Sequence, residues 1–412
     1  MQDESPLPES PRPAGAGTVA SRLPSLTGMR IIAAGMVFFF HAGYEAVFAD
    51  HTTQNVYTWI FGQGGWTGVG FFFILSGFVL TWSARPADTA RRFWRRRFFK
   101  IYPNHFVTFL AALLLLTLAA QPIGTGRAFL NLFLLQAWSP NLSVEVSVNP
   151  VAWSLSCEAL FYLSFPLLLS LIGRIRVDRL WYWAGGITAV VWCIPLISML
   201  LPSSGAKVPF GPITQWQFWL VYVAPPVRLL DFTLGIVLAR LVKEGRWIRL
   251  GLAPAFVLLA GGYFLPHLLP WSFRLVAAPF IPLGLVICAG ATADVRGTRS
   301  PLRSKVMVWL GDVSFALYLW HRLILRYGHR LFGGATKQWA IPGAIGMLLF
   351  ALAVTLLLSW LLHSRVEMPI MRRWSKPRSR TAPLPVTVPL PHQTVQAEPA
   401  AATAVAVPAP ET

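Results

Sequence analysis

The sequence predicts an all-α, polytopic membrane protein with about ten transmembrane helices and both termini in the cytoplasm. Of its 412 residues, 55% are hydrophobic and only 12% are charged. That is too little charge to cover the surface of a water-soluble chain of this length. Its apolar stretches are long enough to cross the roughly 30 Å of hydrocarbon in a bilayer. Basic residues are concentrated in alternate loops, as expected for cytoplasmic loops.

The predicted helices follow the apolar stretches of the sequence in order. They cover residues 26–48, 64–83, 102–120, 151–173, 180–201, 219–241, 250–269, 274–293, 306–326 and 339–362. The segment Arg127–Trp138 is apolar but too short to span the bilayer, and is predicted to be re-entrant or interfacial.

The distribution of basic residues predicts the orientation. They cluster after the second, fourth, sixth, eighth and tenth predicted helices, and all these loops share one side if both termini are cytoplasmic. This topogenic pattern accounts for the net charge of +19 without nucleic-acid binding. Residues 1–24 form a polar, Pro-rich N-terminus and residues 25–370 the membrane domain. Residues 371–412, basic and then Pro/Ala-rich, are predicted to be a disordered cytoplasmic tail.

The first predicted helix carries two ionisable residues, Arg30 and His41, eleven positions apart. At this spacing the side chains point within about 20° of each other and are roughly 16 Å apart along the axis. Ionisable groups inside a membrane helix rarely face lipid, so the pair is a functional candidate. The alternative is a snorkelling arginine with a structurally hydrogen-bonded histidine.

Depth counting places His41, Glu158 and His321 in one layer in the outer half of the membrane. An imidazole beside a carboxylate is the usual arrangement of a general base with its orienting partner, so we expect Glu158 to orient His41. A structural hydrogen bond is the alternative for Glu158 and for His321. Polar residues that could complete the cluster are Ser154, Ser156, Tyr162, Ser314 and Tyr318.

A basic segment, residues 91–103, precedes the third predicted helix and carries six cations interleaved with aromatic residues. Six cations are more than the orientation of the helices in the membrane requires, and they are suited to binding a phosphate-bearing ligand. The rise of roughly 16 Å from Arg30 to His41 is about the reach of a pantetheine arm, which makes acyl-CoA a sensible donor.

Three other features are assigned structural roles. Arg228 and Asp231 lie three residues apart, on one helix face, and are predicted to form an ion pair behind a kink at Pro225 and Pro226. Asp312 could cap its helix or line a cavity. The three cysteines, Cys157, Cys193 and Cys288, lack metal-like spacing and predict neither a disulfide framework nor a metal site.

Five ordered motifs resemble the membrane acyltransferase-3 family of O-acyltransferases, over roughly residues 22–370. They are Arg30-x10-His41, residues 68–78 (GVGFFFILSGF), 96–103 (RRFFKIYP), 153–162 (WSLSCEALFY) and 311–321 (GDVSFALYLWH). Lys100 stands where the family usually has arginine, and Phe315 where tyrosine is common. Lysine keeps the charge but loses bidentate phosphate binding.

The resemblance implies transfer of an acyl group from cytoplasmic acyl-CoA to a hydroxyl, with His41 as a catalytic residue. We expect Glu158 to assist His41. The donor, an acetyl- or short-chain acyl-CoA, is expected to be held by Arg30, Arg96, Arg97 and Lys100. No metal is expected to take part. The residues expected to bind the acceptor are Ser154, Tyr162, Tyr318 and His321.

Within the family, the chain most resembles the enzymes that acylate macrolide antibiotics. The sequence ends soon after the tenth predicted helix, where many polysaccharide-modifying relatives continue into an extracytoplasmic esterase domain, and we expect no such domain here. The predicted setting is the cytoplasmic membrane. The alternatives are O-acetylation of a cell-envelope polysaccharide or lipid, and a proton-coupled transporter that uses His41, Glu158 and Asp231.

Overall fold

The computed structural model describes residues 22–85, 88–334 and 337–374, and the regular structure of these residues is helical, which confirms the predicted all-α class. Most of the predicted N-terminal segment, and the C-terminal tail from residue 375 onward, lie outside the described residues. The described basic residues that begin the predicted tail, up to Trp374, are helical.

The α-helices follow one another along the chain. They are α1 (Pro24–Gly43), α2 (His51–Phe61), α3 (Gly64–Trp82), α4 (Ala90–Leu118), α5 (Thr125–Leu132), α6 (Leu142–Glu145), α7 (Trp153–Gly173), α8 (Leu180–Ser198), α9 (Gln215–Phe218), α10 (Pro225–Lys243), α11 (Leu252–Phe264), α12 (Trp271–Arg274), α13 (Ala277–Val295), α14 (Lys305–Leu331), α15 (Ile341–Leu362) and α16 (Met368–Trp374). Short 3-10 turns cover Gln136–Trp138, Val177–Arg179, Leu265–Leu268 and Pro301–Arg303, and π turns cover Trp219–Val223 and His363–Glu367.

Eight helical stretches of the described chain are long and apolar enough to cross a membrane. Two further helices complete the bundle. One is α14, which is 27 residues long but carries more charge, and the other is the shorter apolar stretch Leu252–Leu268. The result agrees with the predicted number of about ten, and the protein is a multi-pass membrane protein.

The helix α4 differs from its prediction because it begins at Ala90 rather than at residue 102. Thr89 caps it, with its hydroxyl accepting from the backbone N–H of Arg92 at 3.4 Å. The basic segment is therefore helical and rigid. Hydropathy marks where a helix enters hydrocarbon, whereas arginine, lysine and phenylalanine can all extend a helix beyond that point.

Close backbone approaches hold the central helices together. A Cβ atom on Gly77 of α3 would lie 2.0 Å from the carbonyl oxygen of Phe232 in α10, and a Cβ on Gly235 would lie 2.0 Å from that of Ile74. The helices α1 and α14 meet in the same way at Gly311, where a Cβ would lie 1.9 Å from the carbonyl oxygen of Thr27. Small residues thus bring α1 and α14, which carry the two histidines, into direct contact.

The predicted Arg228–Asp231 ion pair is confirmed, with Nη1 and Oδ2 at 3.1 Å and both side chains buried. Arg228 also donates from Nη2 to the carbonyl of Val221 at 3.0 Å, within the π turn. The pair therefore satisfies a backbone carbonyl near the point where the Pro225 break interrupts the helical hydrogen bonds.

Candidate active site

His41 of α1 is hydrogen-bonded to His321 of α14. Nδ1 of His41 lies 3.0 Å from Nε2 of His321, and also 3.0 Å from the carbonyl oxygen of Val37. Nδ1 of His321 lies 2.6 Å from the carbonyl oxygen of Tyr318. His321 is completely buried and His41 is partly exposed. The structure thus brings together two of the predicted site residues in one pair.

A cavity of about 720 Å³, here called the cationic cavity, extends from the beginning of α1 towards this histidine pair. Its lining includes three of the four residues predicted to hold the donor, Arg30, Arg97 and Lys100. It also includes Glu158, Asp312 and three residues that were predicted to bind the acceptor instead, Ser154, Tyr162 and Tyr318. The remaining lining is largely apolar, from α1, α3, α4, α7 and α14. A chamber with cations and a long apolar wall is suited to a ligand with a charged head and a thin neutral arm.

The cations of this cavity differ in how many of their hydrogen-bond donors already have a protein partner. Lys100 is paired with the buried carboxylate of Glu367, which also accepts from the Asn104 amide at 2.6 Å. Arg97 lies over the rings of Phe93 and Tyr162, with its guanidinium carbon 5.7 and 6.0 Å from their centroids. Among the described residues, Nε of Arg97 is buried without a hydrogen-bond partner. Arg97 therefore retains donor capacity for a ligand.

The predicted placement of Glu158 beside His41 is wrong. Its Oε2 accepts from the hydroxyl of Tyr162 at 3.0 Å, and it lines the cationic cavity. The loop before α7 enters the bundle, because Asn149 is buried and donates from its amide to the carbonyl of Leu319 at 3.1 Å. The helix α7 therefore starts inside the bundle, and Glu158 lies roughly 8 Å further along its axis than Trp153.

Arg96 also departs from its predicted place. Its guanidinium pairs with Asp88, with Nη1 and Oδ1 at 2.9 Å, and it does not line the cationic cavity. The Arg96 hydrogen bond holds the pKa of the Asp88 carboxyl below its ordinary value. Ser156 and Ser314 lie outside the cluster too, since their hydroxyls donate to the carbonyls of Leu134 and Gly311.

Ser154 and Tyr318 connect the cationic cavity to the histidine pair. The Ser154 hydroxyl donates to the Tyr318 hydroxyl at 2.9 Å, and the Tyr318 hydroxyl donates to the Val151 carbonyl at 3.1 Å. Both side chains line the cavity, while the backbone carbonyl of Tyr318 bonds His321. Asp312, which precedes Tyr318 in α14, lines the same cavity.

A second cavity, of about 460 Å³ and here called the aromatic cavity, is lined by residues that contact His41, although His41 itself lines neither cavity. Phe40 and Tyr44 line it, and their ring centroids lie 5.0 and 5.8 Å from that of His41. Its larger walls are Trp59, Trp66, Phe210 and Trp271. Sequence reasoning missed these residues, because aromatic side chains are frequent throughout a membrane core and no motif distinguishes them.

Polar groups also reach the aromatic cavity. Gln63 is buried and, among the described residues, its Oε1 has no hydrogen-bond partner, while Arg274 uses Nε to bind the carbonyl of Leu269. Beside the cavity, Arg322 pairs with Glu45 and lies over the Tyr44 ring, 5.8 Å from its centroid. Arg322 follows His321 directly in an apolar helix, a signal that could have identified it.

No group of three or more His, Cys, Asp or Glu side chains within the described ranges is arranged to hold a metal ion. The family described as "Acyltransferase domain" matches residues 23–364. The chain is 43% identical over 375 residues to acyltransferase MdmB of Streptomyces mycarofaciens, which covers 89% of this chain and 96% of that relative. It is 23% identical over 384 residues to O-acetyltransferase OatA of Staphylococcus aureus, covering 86% of this chain but 58% of that relative. No solved structure matches this chain.

Proposed function

Since this chain belongs to the acyltransferase-3 family of membrane O-acyltransferases, we propose that it moves a short acyl group from acyl-CoA to a hydroxyl of a macrolide-type acceptor. The observation that carries the proposal is the position of the histidine pair. His41 contacts the lining of the aromatic cavity, and its partner His321 is bonded to Tyr318 in the lining of the cationic cavity. Two substrates could therefore approach one imidazole from two chambers.

The donor fits the cationic cavity. Arg30, Arg97 and Lys100 would bind the phosphates of coenzyme A, with Arg97 offering its unused Nε–H. The roughly 16 Å rise along α1 from Arg30 to His41 matches the length that pantetheine must cover. Glu158 and Asp312 lie among these cations, and their carboxylates would limit the repulsion between arginines when no donor is bound.

The chemistry needs one base and no change of oxidation state. Nε2 of His41 takes the proton of the acceptor hydroxyl while the oxygen attacks the thioester carbonyl carbon. The carbon–sulfur bond then breaks, and the departing thiolate of coenzyme A takes the proton from Nε2. One ester bond forms for each thioester bond broken, and His41 returns to its neutral state.

The aromatic cavity would bind the part of the acceptor that carries the reacting hydroxyl. Tryptophan and phenylalanine rings pack against apolar faces of large ring compounds, and Gln63 and Arg274 supply hydrogen-bonding groups to fix their orientation. A macrolide has an extended apolar ring with a few hydroxyls, which matches aromatic walls that carry a few polar groups. The overall likeness of the chain to macrolide-acylating enzymes supports the same acceptor class.

The test combines the purified protein in detergent with a panel of acyl-CoAs and a macrolide that carries free hydroxyls. Mass spectrometry follows the macrolide, and a thiol reagent follows released CoA. We expect a mass gain of one acyl group, and its loss in a His41→Ala variant of matched abundance and monodispersity. CoA release without an acylated macrolide would reject this acceptor in favour of an envelope sugar or lipid. Well-folded protein that consumes no acyl-CoA, even with those acceptors, would reject acyl transfer and favour a transporter.

A further inference from the structure

The structure assigns to His321 a positioning role: it holds the His41 ring so that Nδ1 of His41 carries the hydrogen and Nε2 is the free base. This inference rests on the proposed acyl transfer for its kinetic consequence, but the position of the hydrogens follows from geometry alone. The pair would take the place of the imidazole–carboxylate arrangement that the sequence suggested with Glu158.

The tautomer of His321 follows from its contact with a backbone carbonyl. A backbone carbonyl oxygen can only accept a hydrogen bond, so Nδ1 of His321, 2.6 Å from the carbonyl oxygen of Tyr318, must carry a hydrogen. A neutral imidazole has one ring hydrogen, and Nε2 of His321 is then an acceptor. It is this acceptor that lies 3.0 Å from His41.

The tautomer of His41 follows from an independent contact with another backbone carbonyl. Nδ1 of His41 lies 3.0 Å from the carbonyl oxygen of Val37, one turn earlier in α1, and so must also carry a hydrogen. The same hydrogen faces Nε2 of His321. The carbonyls of Tyr318 and Val37 therefore lead to the same conclusion, that Nδ1 of His41 donates to Nε2 of His321. The free lone pair of the His41 ring is then on its Nε2.

The two histidines differ in their access to a substrate. His321 is fully buried, whereas His41 is partly exposed between Phe40 and Tyr44. Among the described residues, the hydrogen bonds of His41 run through Nδ1. Of the two histidines, His41 thus presents the basic nitrogen to a substrate. When Nε2 takes the acceptor's proton, the Nδ1–H bond to His321 steadies the positive ring without a buried negative charge, which would be costly at this depth.

The kinetic test compares two amide substitutions of His321. The oxygen of glutamine extends about as far as Nε2 and can still accept from His41, whereas asparagine is too short. We expect His321→Gln to keep kcat within about tenfold and His321→Asn to lose roughly 100-fold, both with an unchanged KM for acyl-CoA. The unchanged KM shows that the variants fold. Equal losses in both variants, or full activity of His321→Asn, would overturn the positioning role.

A spectroscopic test needs no substrate. In protein with ¹⁵N-labelled histidine, nitrogen chemical shifts report which ring nitrogen carries hydrogen, and the His41→Ala and His321→Gln variants assign the two signals. We expect the Nδ1–H form at both residues, although free histidine prefers Nε2–H. An Nε2–H form at His41 would overturn the inference. This readout stands even if no acyl transfer is found, which separates its failure from that of the proposed function.

Discussion

Two neighbouring arginines of α4 have different surroundings, because successive helix residues point about 100° apart. Arg96 turns towards Asp88, outside the cationic cavity, and Arg97 turns into the cavity between aromatic rings. The pair provides a matched comparison, in which one substitution removes a proposed donor contact and the other removes a similar charge from the same helix.

We predict that Arg97→Ala raises the KM for acyl-CoA by about 10- to 100-fold, the equivalent of losing charge-assisted hydrogen bonds to a phosphate. Arg96→Ala should change it by less than about threefold, since a partly exposed ion pair contributes little. Initial rates over a range of acyl-CoA concentrations measure both. Equal effects of the two substitutions would mean that only the total positive charge of α4 matters.

Residue-level reasoning predicted part of this site. Helical periodicity singled out Arg30 and His41; Arg30 lines the cationic cavity and His41 bonds His321, and their roles in catalysis stay predictions. It failed for Glu158, because counting depth from the sequence assumes that a helix begins at the membrane surface, whereas the loop around Asn149 is buried. It also failed for the aromatic cavity, whose walls come from distant segments such as Trp59 and Trp271 and carry no motif.

Glu145, in the short helix α6, gives a prediction about pH. The residue is 2% exposed, and its burial raises its pKa to about 8. Between its ordinary pKa and 8, the folded protein holds a proton that the unfolded chain releases. The free energy of unfolding therefore falls as the pH rises through this range. We expect the thermal midpoint in detergent to fall as the pH is raised from about 5 to about 8.5. The fall should be smaller in Glu145→Gln. Identical profiles would show that Glu145 does not contribute.

The crossing of α3 and α10 depends on Gly77 and Gly235. A Cβ on Gly235 would meet the carbonyl oxygen of Ile74 at 2.0 Å and the backbone nitrogen of Phe78 at 2.8 Å. Neither is the flexible end of a side chain, so the helices themselves must separate. The motif that contains Gly77 predicted a helix, but the partner glycine lies more than 150 residues away, and pairing of this kind cannot be deduced from local sequence.

We predict that Gly235→Ala destabilises the protein by about 1–3 kcal/mol, the usual cost of overpacking. The control is Gly186→Ala in α8, where a Cβ would have nothing within 4 Å. That change should be neutral or stabilising, since alanine is the better helix former. Thermal midpoints of the purified variants provide the comparison. A Gly235→Ala protein as stable as the control would contradict the close crossing.

The buried ion pair of α10 gives a further prediction. Removing Arg228 alone, as in Arg228→Met, leaves the Asp231 carboxylate buried without its partner and frees the Val221 carbonyl. We expect a loss of about 3–5 kcal/mol. The double variant Arg228→Met with Asp231→Asn should recover part of it, because no buried charge remains. A double variant less stable than the single one would mean that the pair stabilises the fold by more than mutual neutralisation.

The two cavities lie towards opposite ends of α1. Arg30 and Thr27, near its beginning, line the cationic cavity, while Phe40, Gly43 and Tyr44, at its end, line the aromatic cavity. The loops on the side of the cationic cavity are also those rich in arginine and lysine. By the positive-inside rule we propose that this side faces the cytoplasm, where acyl-CoA is made, and that the acceptor cavity lies nearer the outer surface.

Two exposed loop residues test this orientation. We predict that Ser204→Cys, between α8 and α9, reacts with a membrane-impermeant maleimide on intact cells, and that Thr298→Cys, between α13 and α14, reacts only after permeabilisation. Cys193→Ser provides the background, because Cys193 is exposed whereas Cys157 and Cys288 are buried. The same orientation requires sealed vesicles to use external acyl-CoA only when the Thr298 side faces outward. Labelling of Thr298→Cys on intact cells would show that the orientation is the reverse of the one proposed. Use of acyl-CoA from the Ser204 side would place the donor in the aromatic cavity.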